Sequence, residues 1–538
     1  MRILILFASV LFNIASGQTF TKSDTLLGSN TQFRDFWDVQ RYDVTVEANH
    51  SKKSLLGKNK ISFNIIKDVT NPTFQIDLQE PMKYGKISSN FKIISKKREG
   101  NFIFLKTKAR FKKGEKYFLE IDFSGNPTIA KNAPWDGGWV FAQDNEGNPW
   151  MSVACEGIGA SVWLPIKEMW SDEPDEGATL TIITPKNLTG VGNGRLIKQS
   201  TEKDKNIFTW EVKNPINSYN IIPYIGKYTH FSDEYLGEKG KLTLDYWVLD
   251  YNLEKAKKQF QQVKPMLKSF EHWFGPYPFY EDGYKLVESP YLGMEHQSGI
   301  AYGNGYQNGY MGGDLSGTGV GLHWDFIIVH ESGHEWFGNN ITAKEKADMW
   351  IHEAFTDYSE TLFTESIMGK KAANTYVIGL RKNILNDIPI IGKYGVRKGG
   401  SGDQYMKGAN LLHTIRQIID NDEKFRQILR GLNKDFYHQT VTTKQVEDYI
   451  SGKAEIDFRA VFDQYLRTTK IPQLEYRQQG KILKFKWNNT VAGFKMPVRL
   501  KSHSIMITPS EEWQSITLPD DTPVEVDENY YIEILKSL

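Results

Sequence analysis

The residues best suited to chemistry lie between positions 323 and 360. His330, Glu331 and His334 form a His-Glu-x-x-His pattern, and Glu353 follows after eighteen intervening residues. Residues four apart on an α-helix share one face, so His330 and His334 can direct imidazole nitrogens at a single point. Catalytic zinc takes three protein ligands and keeps a fourth position open for water. The spacing therefore predicts one zinc ion per chain, bound by His330, His334 and Glu353.

Glu331 is the candidate general base of this site. It follows His330 directly, which places it near the metal but off the face that carries the two histidines. A carboxylate in that position can accept a proton from the water that a zinc ion activates. Chance could also place two histidines and a glutamate on a core-facing helix. With only 11 histidines in the chain, we favour the metal site over that alternative.

Two predicted helices must position these groups. Apolar residues 326–329 lead into the motif, and Gly338 is the expected end of the first helix. The second helix carries Glu353 and is expected to end at Gly369, a typical C-terminal cap. Gly333 lies inside the motif, where it costs about 1 kcal/mol of helix propensity relative to alanine. The sequence itself offers no reason for Gly333.

The pattern of apolar residues predicts an α+β multidomain protein. Residues 18–228 alternate apolar and polar side chains between turns, which indicates an antiparallel β domain. Residues 229–471 show mainly helical spacing and contain the metal motif, so we assign them to the catalytic domain. Residues 472–538 return to alternation, which predicts a short C-terminal β-sandwich.

Composition limits the partners and the compartment. The chain has 538 residues, with 66 basic and 65 acidic side chains, so its charge does not favour nucleic acid or a membrane surface as a partner. Arg2, an apolar run and small residues in positions 1–17 predict a cleaved signal peptide, hence export to the periplasm or the extracellular space. No other segment is apolar enough for stable membrane insertion. Cys155 is the single cysteine and can form no disulfide within the chain. The oligomeric state is left open.

These motifs resemble the aminopeptidase N family of zinc metallopeptidases, which includes a leukotriene epoxide hydrolase branch. The resemblance extends from Cys155 to about Leu466. The His-Glu-x-x-His motif with Glu353 is similar to the family's metal site, and residues 350–355, WIHEAF, resemble its second zinc helix. His352 stands where the family usually has asparagine. The resemblance implies a thermolysin-like catalytic domain.

A second motif lies upstream of the metal helix. Gly293, Met294, Glu295 and His296 resemble the family's exopeptidase motif, in which His296 replaces the usual asparagine. The resemblance implies that these four residues bind substrate and that Glu295 holds its free α-amine. A buried ammonium needs a paired charge, which gives this role a physical reason. A loop glutamate on the surface is the structural alternative.

Two further residues match family positions. Glu156, after Cys155, is similar to the second amine-binding position, although it could also be a solvated strand residue. Tyr405, in the sequence Tyr-Met-Lys-Gly, resembles the catalytic tyrosine. A phenol there could stabilise the negative charge that develops on the substrate oxygen. A core tyrosine at the start of a helix is the alternative.

One departure from the family concerns the C-terminus. The family usually carries a long helical domain there, and we expect no such domain in this sequence. The resemblance predicts an exported zinc aminopeptidase that hydrolyses the N-terminal peptide bond of peptides with a free amine. A thermolysin-like endopeptidase and a non-catalytic zinc-binding scaffold are the alternatives.

Overall fold

A computed structural model describes residues 20–537. The predicted signal peptide, residues 1–17, lies outside the described residues. Within the described part, no helix combines the length and the apolar character that a bilayer span requires. The helices and strands are numbered below in chain order.

The N-terminal part consists almost entirely of strands. After helix α1 (Lys22–Gly28), these are β1 (Trp37–Asn49), β2 (Ser54–Ile65), β3 (Val69–Thr70), β4 (Thr73–Asp77), β5 (Lys83–Ser89), β6 (Ile93–Glu99), β7 (Phe102–Thr107), β8 (Arg110–Phe111), β9 (Lys116–Gly125), β10 (Gly138–Gln143), β11 (Pro149–Ala154), β12 (Ala178–Pro185), β13 (Thr189–Val191), β14 (Arg195–Glu202), β15 (Lys205–Val212) and β16 (Tyr224–Gly226).

The largest sheet of this part has the order β14-β15-β12-β1-β2-β9-β5. Its apolar side chains fill one buried cluster because alternate residues of each strand point to the same face. The predicted β domain is thus present, but the expectation that it is antiparallel throughout is wrong. β1 pairs with β12 in parallel, with Tyr42 opposite Ala178. A long connection separates these two strands in the chain, and such a connection permits parallel pairing, which alternation alone does not reveal.

The middle part combines a mixed sheet with helices. Its elements are β17 (Tyr228–Gly237), β18 (Gly240–Leu249), α2 (Leu253–Gln259), α3 (Val263–Phe274), β19 (Tyr284–Glu288), β20 (Gly293–Met294), β21 (Ile300–Tyr302), α4 (Phe326–Gly333), β22 (Ile341–Ala343), α5 (Trp350–Met368), α6 (Lys370–Leu380), α7 (Met406–Ile419), α8 (Asp422–Asp435), β23 (Gln439–Val441), α9 (Thr443–Ala454) and α10 (Arg459–Arg467). The sheet order is β17-β18-β19-β21-β20, which leaves β20 at an edge.

Helix α5 ends at the residue predicted from the sequence, whereas helix α4 ends earlier than predicted. The Asp325 side chain caps α4 by accepting from the backbone N–H of Ile327 at 3.1 Å. The helix ends at Gly333 rather than at the predicted Gly338, which lies in the following turn with φ +130°. Helix α5 ends as predicted, with Gly369 at φ +84° as its cap.

The C-terminal part adds β24 (Gln473–Gln479), β25 (Ile482–Asn488), β26 (Val498–Leu500), β27 (Ile505–Ile507), β28 (Gln514–Thr517) and β29 (Glu533–Lys536). These strands form a four-stranded sheet, β28-β25-β24-β29, and a two-stranded sheet, β26-β27. Their buried side chains continue the apolar core of the helical part. The sandwich arrangement and the domain limits at 228/229 and 471/472 stay predictions.

Candidate active site

Helices α4 and α5 bring the three predicted metal ligands together. The Nε2 atom of His334 lies 3.4 Å from Oε2 of Glu353, and Nε2 of His330 lies 3.8 Å from the same oxygen. One ligand atom from each residue lies within 4.8 Å of the other two. His334 follows the last residue of α4 but keeps helical dihedral angles, φ −64° and ψ −19°. The i, i+4 geometry therefore survives the early end of the helix.

The outer nitrogen of each imidazole is already engaged. Nδ1 of His330 lies 2.7 Å from Oε1 of Glu360, and Nδ1 of His334 lies 3.0 Å from the carbonyl oxygen of Phe337. Both partners are acceptors, so each Nδ1 carries the proton in the neutral ring. The lone pair of each Nε2 then faces Glu353. Carboxylate and carbonyl partners of this kind orient the histidine ligands of metal sites.

This arrangement fits a divalent cation. Oε2 of Glu353 is buried and has no hydrogen-bond donor. Burial opposes ionisation of Glu353, but the two imidazoles hold its pKa well below the ordinary value. Burial likewise opposes protonation of His334, yet the Glu353 carboxylate raises the pKa of His334 to about 9. The pocket therefore favours positive charge among two nitrogens and one oxygen, a donor set typical of catalytic zinc.

The close approach of α4 and α5 explains Gly333. A Cβ atom on Gly333 would lie 2.6 Å from Oγ of Ser359 and 3.1 Å from Cγ2 of Thr356. Both residues belong to α5, and real Cβ contacts are essentially never shorter than 3.0 Å. Glycine therefore lets the two ligand-bearing helices pack at the distance that the metal ligands require.

The Glu331 side chain lies close to the backbone of Gly293. Burial raises the pKa of Glu331, while His330 and His334 lower it. A Cβ atom on Gly293 would lie 2.8 Å from Oε1 of Glu331. Gly293 belongs to edge strand β20, so its small size leaves space for a carboxylate beside the exposed edge of the sheet.

Two carboxylates, Glu295 and Glu156, lie next to this edge. Burial, with the nearby Glu156 and Glu331 carboxylates, raises the pKa of Glu295 to about 8 against the opposing effect of His334. The Asn339 side chain donates to the carbonyl oxygen of Glu295 at 2.8 Å and so fixes the backbone there. Glu156 extends from the N-terminal part and forms an ion pair with Lys346 at 3.5 Å.

Tyr405 stands directly before α7 and faces the metal ligands. Its ring lies parallel to that of His330, with 6.0 Å between centroids and 22° between planes. Burial and the nearby Glu353 carboxylate raise the pKa of Tyr405 well above 10. The phenol therefore stays protonated and can donate a hydrogen bond.

A cavity of about 530 Å³ is lined by all the site residues predicted from the sequence except His296. Its lining includes the metal ligands, Glu331, Tyr405, Glu156, Gly293, Met294 and Glu295. His296 does not line it, so its predicted contact with substrate is not supported. The His296 ring is fully buried, with Nδ1 2.6 Å from the Tyr224 hydroxyl, and burial lowers its pKa to about 3. His296 is a neutral support behind the strand.

Three contributors to the site were not predicted from the sequence. Glu360 supports His330, Asn339 supports Glu295, and Trp135 lies in the cavity wall. The position of Glu360, seven residues after Glu353, is a usable signal because two helical turns place both on one face. His352 accepts from the Ala343 backbone N–H at 2.8 Å.

Comparison with known proteins identifies relatives in both halves of the chain. The peptidase family M1 domain matches residues 259–389, and the peptidase M1 N-terminal domain matches residues 39–220. Leukotriene A-4 hydrolase of Xenopus laevis is 23% identical over 390 residues, which cover 68% of this chain and 59% of that protein. Leucyl aminopeptidase of Saccharolobus solfataricus is 22% identical over 386 residues, covering 68% and 46%. The chain thus spans about half the length of these relatives.

Solved structures show the same fold. An M1 zinc metallopeptidase of Deinococcus radiodurans, crystallised with a Tyr-Ser-Ala substrate, is 19% identical and has a TM-score of 0.66. The match covers 79% of this chain and 92% of that one. The family matches together cover more than half of the chain, and the predicted resemblance is confirmed. The chain belongs to the M1 family of zinc metallopeptidases.

Proposed function

We propose that this protein is a zinc aminopeptidase that removes the first residue from peptides with a free α-amine. The observation that carries the proposal is the position of Glu295. Its buried carboxylate lies in the same cavity as the metal ligands and the Glu331 side chain. Among the described residues, no lysine or arginine is one of the main groups that shift the pKa of this carboxylate. The place therefore suits a substrate ammonium, since a buried charge requires a paired charge.

The metal ligands would be His330, His334 and Glu353. A zinc ion bound there polarises a carbonyl group and lowers the pKa of water. Glu331 takes the proton from the attacking water and delivers it to the nitrogen of the departing peptide. Burial raises the pKa of Glu331, which suits that exchange because a higher pKa makes the carboxylate a stronger proton acceptor. Tyr405 donates its phenol hydrogen to the oxygen on which negative charge develops.

Glu295 and Glu156 set the length of chain that is removed. Both carboxylates bind the terminal ammonium, so the peptide bond that follows the first residue lies next to Glu331. An acetylated N-terminus lacks the positive charge and leaves the buried Glu295 carboxylate without the paired charge that the ammonium supplies. The same geometry therefore disfavours internal cleavage.

The experiment that tests this proposal replaces Glu295 by glutamine. The rate constant kcat/KM on a leucine 4-nitroanilide should fall by about 30-fold or more, as for the loss of one partner of a buried charge pair. Zinc content, measured by metal analysis, should remain one per chain. An unchanged kcat/KM, or equal cleavage of an N-acetylated peptide by the unmodified enzyme, would contradict the assignment and favour an endopeptidase. Zinc binding with no turnover on any substrate would favour a scaffold.

The proposal includes export. Arg2, the apolar run that follows it and the small residues up to Gly17 support a cleaved signal peptide. Sequencing the N-terminus of protein recovered from the native cell envelope or medium tests this point. A mature chain that begins near Gln18 is the expected result, and a chain that retains residues 1–17 in the cytoplasm would contradict it.

A further inference from the structure

The wall of the cavity beside the metal ligands has a charged part and an apolar part. Its carboxylates are those of the metal and amine sites, and apart from the ligand imidazoles no basic side chain of the described residues lines it. The remaining wall is largely apolar and is made by Pro134, Trp135, Leu292, Met294, Tyr310, Leu315, Phe326, Ile327 and Met406. A substrate side chain that packs against these apolar residues leaves water for an apolar surface and contacts no charged group among them.

Trp135 is the unusual member of this wall. Its side chain is 65% exposed, although a tryptophan of this size normally buries most of its surface. It comes from the loop between β9 and β10, in the N-terminal part of the chain, and lines the cavity together with residues of α4. Packing within the protein therefore does not explain why a tryptophan occupies position 135.

The loop holds Trp135 in place. Oδ2 of Asp136 accepts from the backbone N–H groups of Lys131 at 2.7 Å and Asn132 at 3.0 Å. A Cβ atom on Gly137 would lie 2.7 Å from Cγ2 of Ile158, which shows how closely the loop contacts the turn that follows Glu156. These contacts fix the backbone on either side of Trp135 beside the turn that carries Glu156, and both residues line the cavity.

An aromatic wall lies on the other side of the cavity. The Phe326 ring stacks on His330 with centroids 4.9 Å apart, and the Tyr310 ring meets Phe326 edge-on at 5.1 Å. This wall begins at a metal ligand and extends away from it. A side chain on the residue whose amine is bound by Glu295 can therefore lie along this wall.

We propose that Trp135 packs against the first side chain of the substrate in the apolar part of the cavity, and that the enzyme selects large apolar or aromatic first residues. This inference rests on the proposed aminopeptidase function. Beyond the carboxylates of the metal, base and amine sites, no acidic side chain of the described residues lines the cavity. A basic first residue therefore loses hydration without a paired charge of its own. Tyr310 and Phe326 add to the preference for large side chains because a larger side chain buries more surface against their rings.

The test measures kcat/KM for 4-nitroanilides of glycine, alanine, leucine, phenylalanine, arginine and glutamate. We expect kcat/KM for the leucine and phenylalanine substrates to be about 100-fold higher than for glycine and about 10-fold higher than for arginine. One methylene group in an apolar pocket can change kcat/KM by about 10-fold or more. Trp135→Ala should lower kcat/KM for leucine and phenylalanine by about 10-fold and leave alanine within about twofold. Trp135→Phe should restore most of the loss.

Trp513→Ala is the matched control, because Trp513 is also exposed and lies in the C-terminal part, away from the cavity. It should leave all six values unchanged. A preference for arginine or glutamate, a flat series, or an equal loss on every substrate with Trp135→Ala would overturn the inference while the aminopeptidase function stands. Absence of turnover on all six substrates would overturn both.

Discussion

At the scale of single residues, the site keeps several buried or half-buried carboxylates in one cavity. Glu156, Glu295, Glu331 and Glu353 all line it. Neighbouring carboxylates oppose each other's ionisation, and burial adds to that effect. Lys346 pairs with Glu156 at 3.5 Å, and a metal ion and a substrate ammonium would supply further positive charge for the other carboxylates.

Glu331→Gln tests the proton transfer. The amide keeps the shape of the side chain but cannot accept the proton, so kcat should fall by about 10²–10⁴-fold. Metal analysis of the variant should still give one zinc per chain because Glu331 is not a ligand. Appreciable turnover by the zinc-containing variant would rule out Glu331 as the base.

Glu360→Gln tests the support of a ligand. Its Oε1 accepts from Nδ1 of His330 at 2.7 Å, and its Oε2 accepts from the Tyr376 hydroxyl at 2.5 Å. Loss of the carboxylate should weaken zinc binding by about 10–100-fold, as measured by competition with a chelator. Tyr376→Phe keeps the carboxylate and should have a smaller effect. Equal affinity in the Gln variant and the unmodified protein would show that this contact does not tune the metal.

At the scale of elements, the site depends on the distance between α4 and α5. Gly333→Ala should destabilise the protein by about 1–3 kcal/mol through overpacking, even though alanine is the better helix former. Adding Ser359→Ala should recover part of this loss, because Oγ of Ser359 is the nearest atom to the added methyl group. Thermal unfolding of the single and double variants measures both effects.

Gly452→Ala on α9 is the control for that experiment. No atom lies within 4 Å of a Cβ placed on Gly452, so the substitution should stabilise the protein by about 0.4–1 kcal/mol. If Gly333→Ala stabilised the protein to the same degree, the close approach of α4 and α5 would not be the reason for glycine.

The elements also show what a sequence reveals about a site. His330, His334 and Glu353 were predictable because helix periodicity alone places two of them on one face. The end of α4 at Gly333, the parallel pairing of β1 with β12 and the burial of His296 were not predictable. Each of those depends on contacts with residues distant in the chain, and local spacing carries no information about such contacts.

At the scale of the whole molecule, the N-terminal β part and the helical part meet around the site. Glu156 and Trp135 come from the first part, whereas the metal ligands come from the second. Glu173 lies at this junction. Burial raises its pKa to about 8, against the opposing effects of Thr342 and Asn217.

The raised pKa of Glu173 predicts a pH effect on stability. The folded state holds this proton more tightly than the unfolded state, in which the pKa is near 4.5. The free energy of unfolding should therefore fall as pH rises from about 4.5 to about 8, with little further change from this group above that range. Glu173→Gln cannot ionise, so its Tm should decline less than that of the unmodified protein between pH 5 and 8. Parallel Tm curves would contradict the prediction.

The most direct test of the whole account compares one peptide with its N-acetylated form. Both are incubated with the zinc-containing enzyme, and the products are identified by mass spectrometry. The account predicts stepwise loss of single residues from the free peptide and no cleavage of the acetylated one. Internal cleavage of the acetylated peptide at a comparable rate would contradict it.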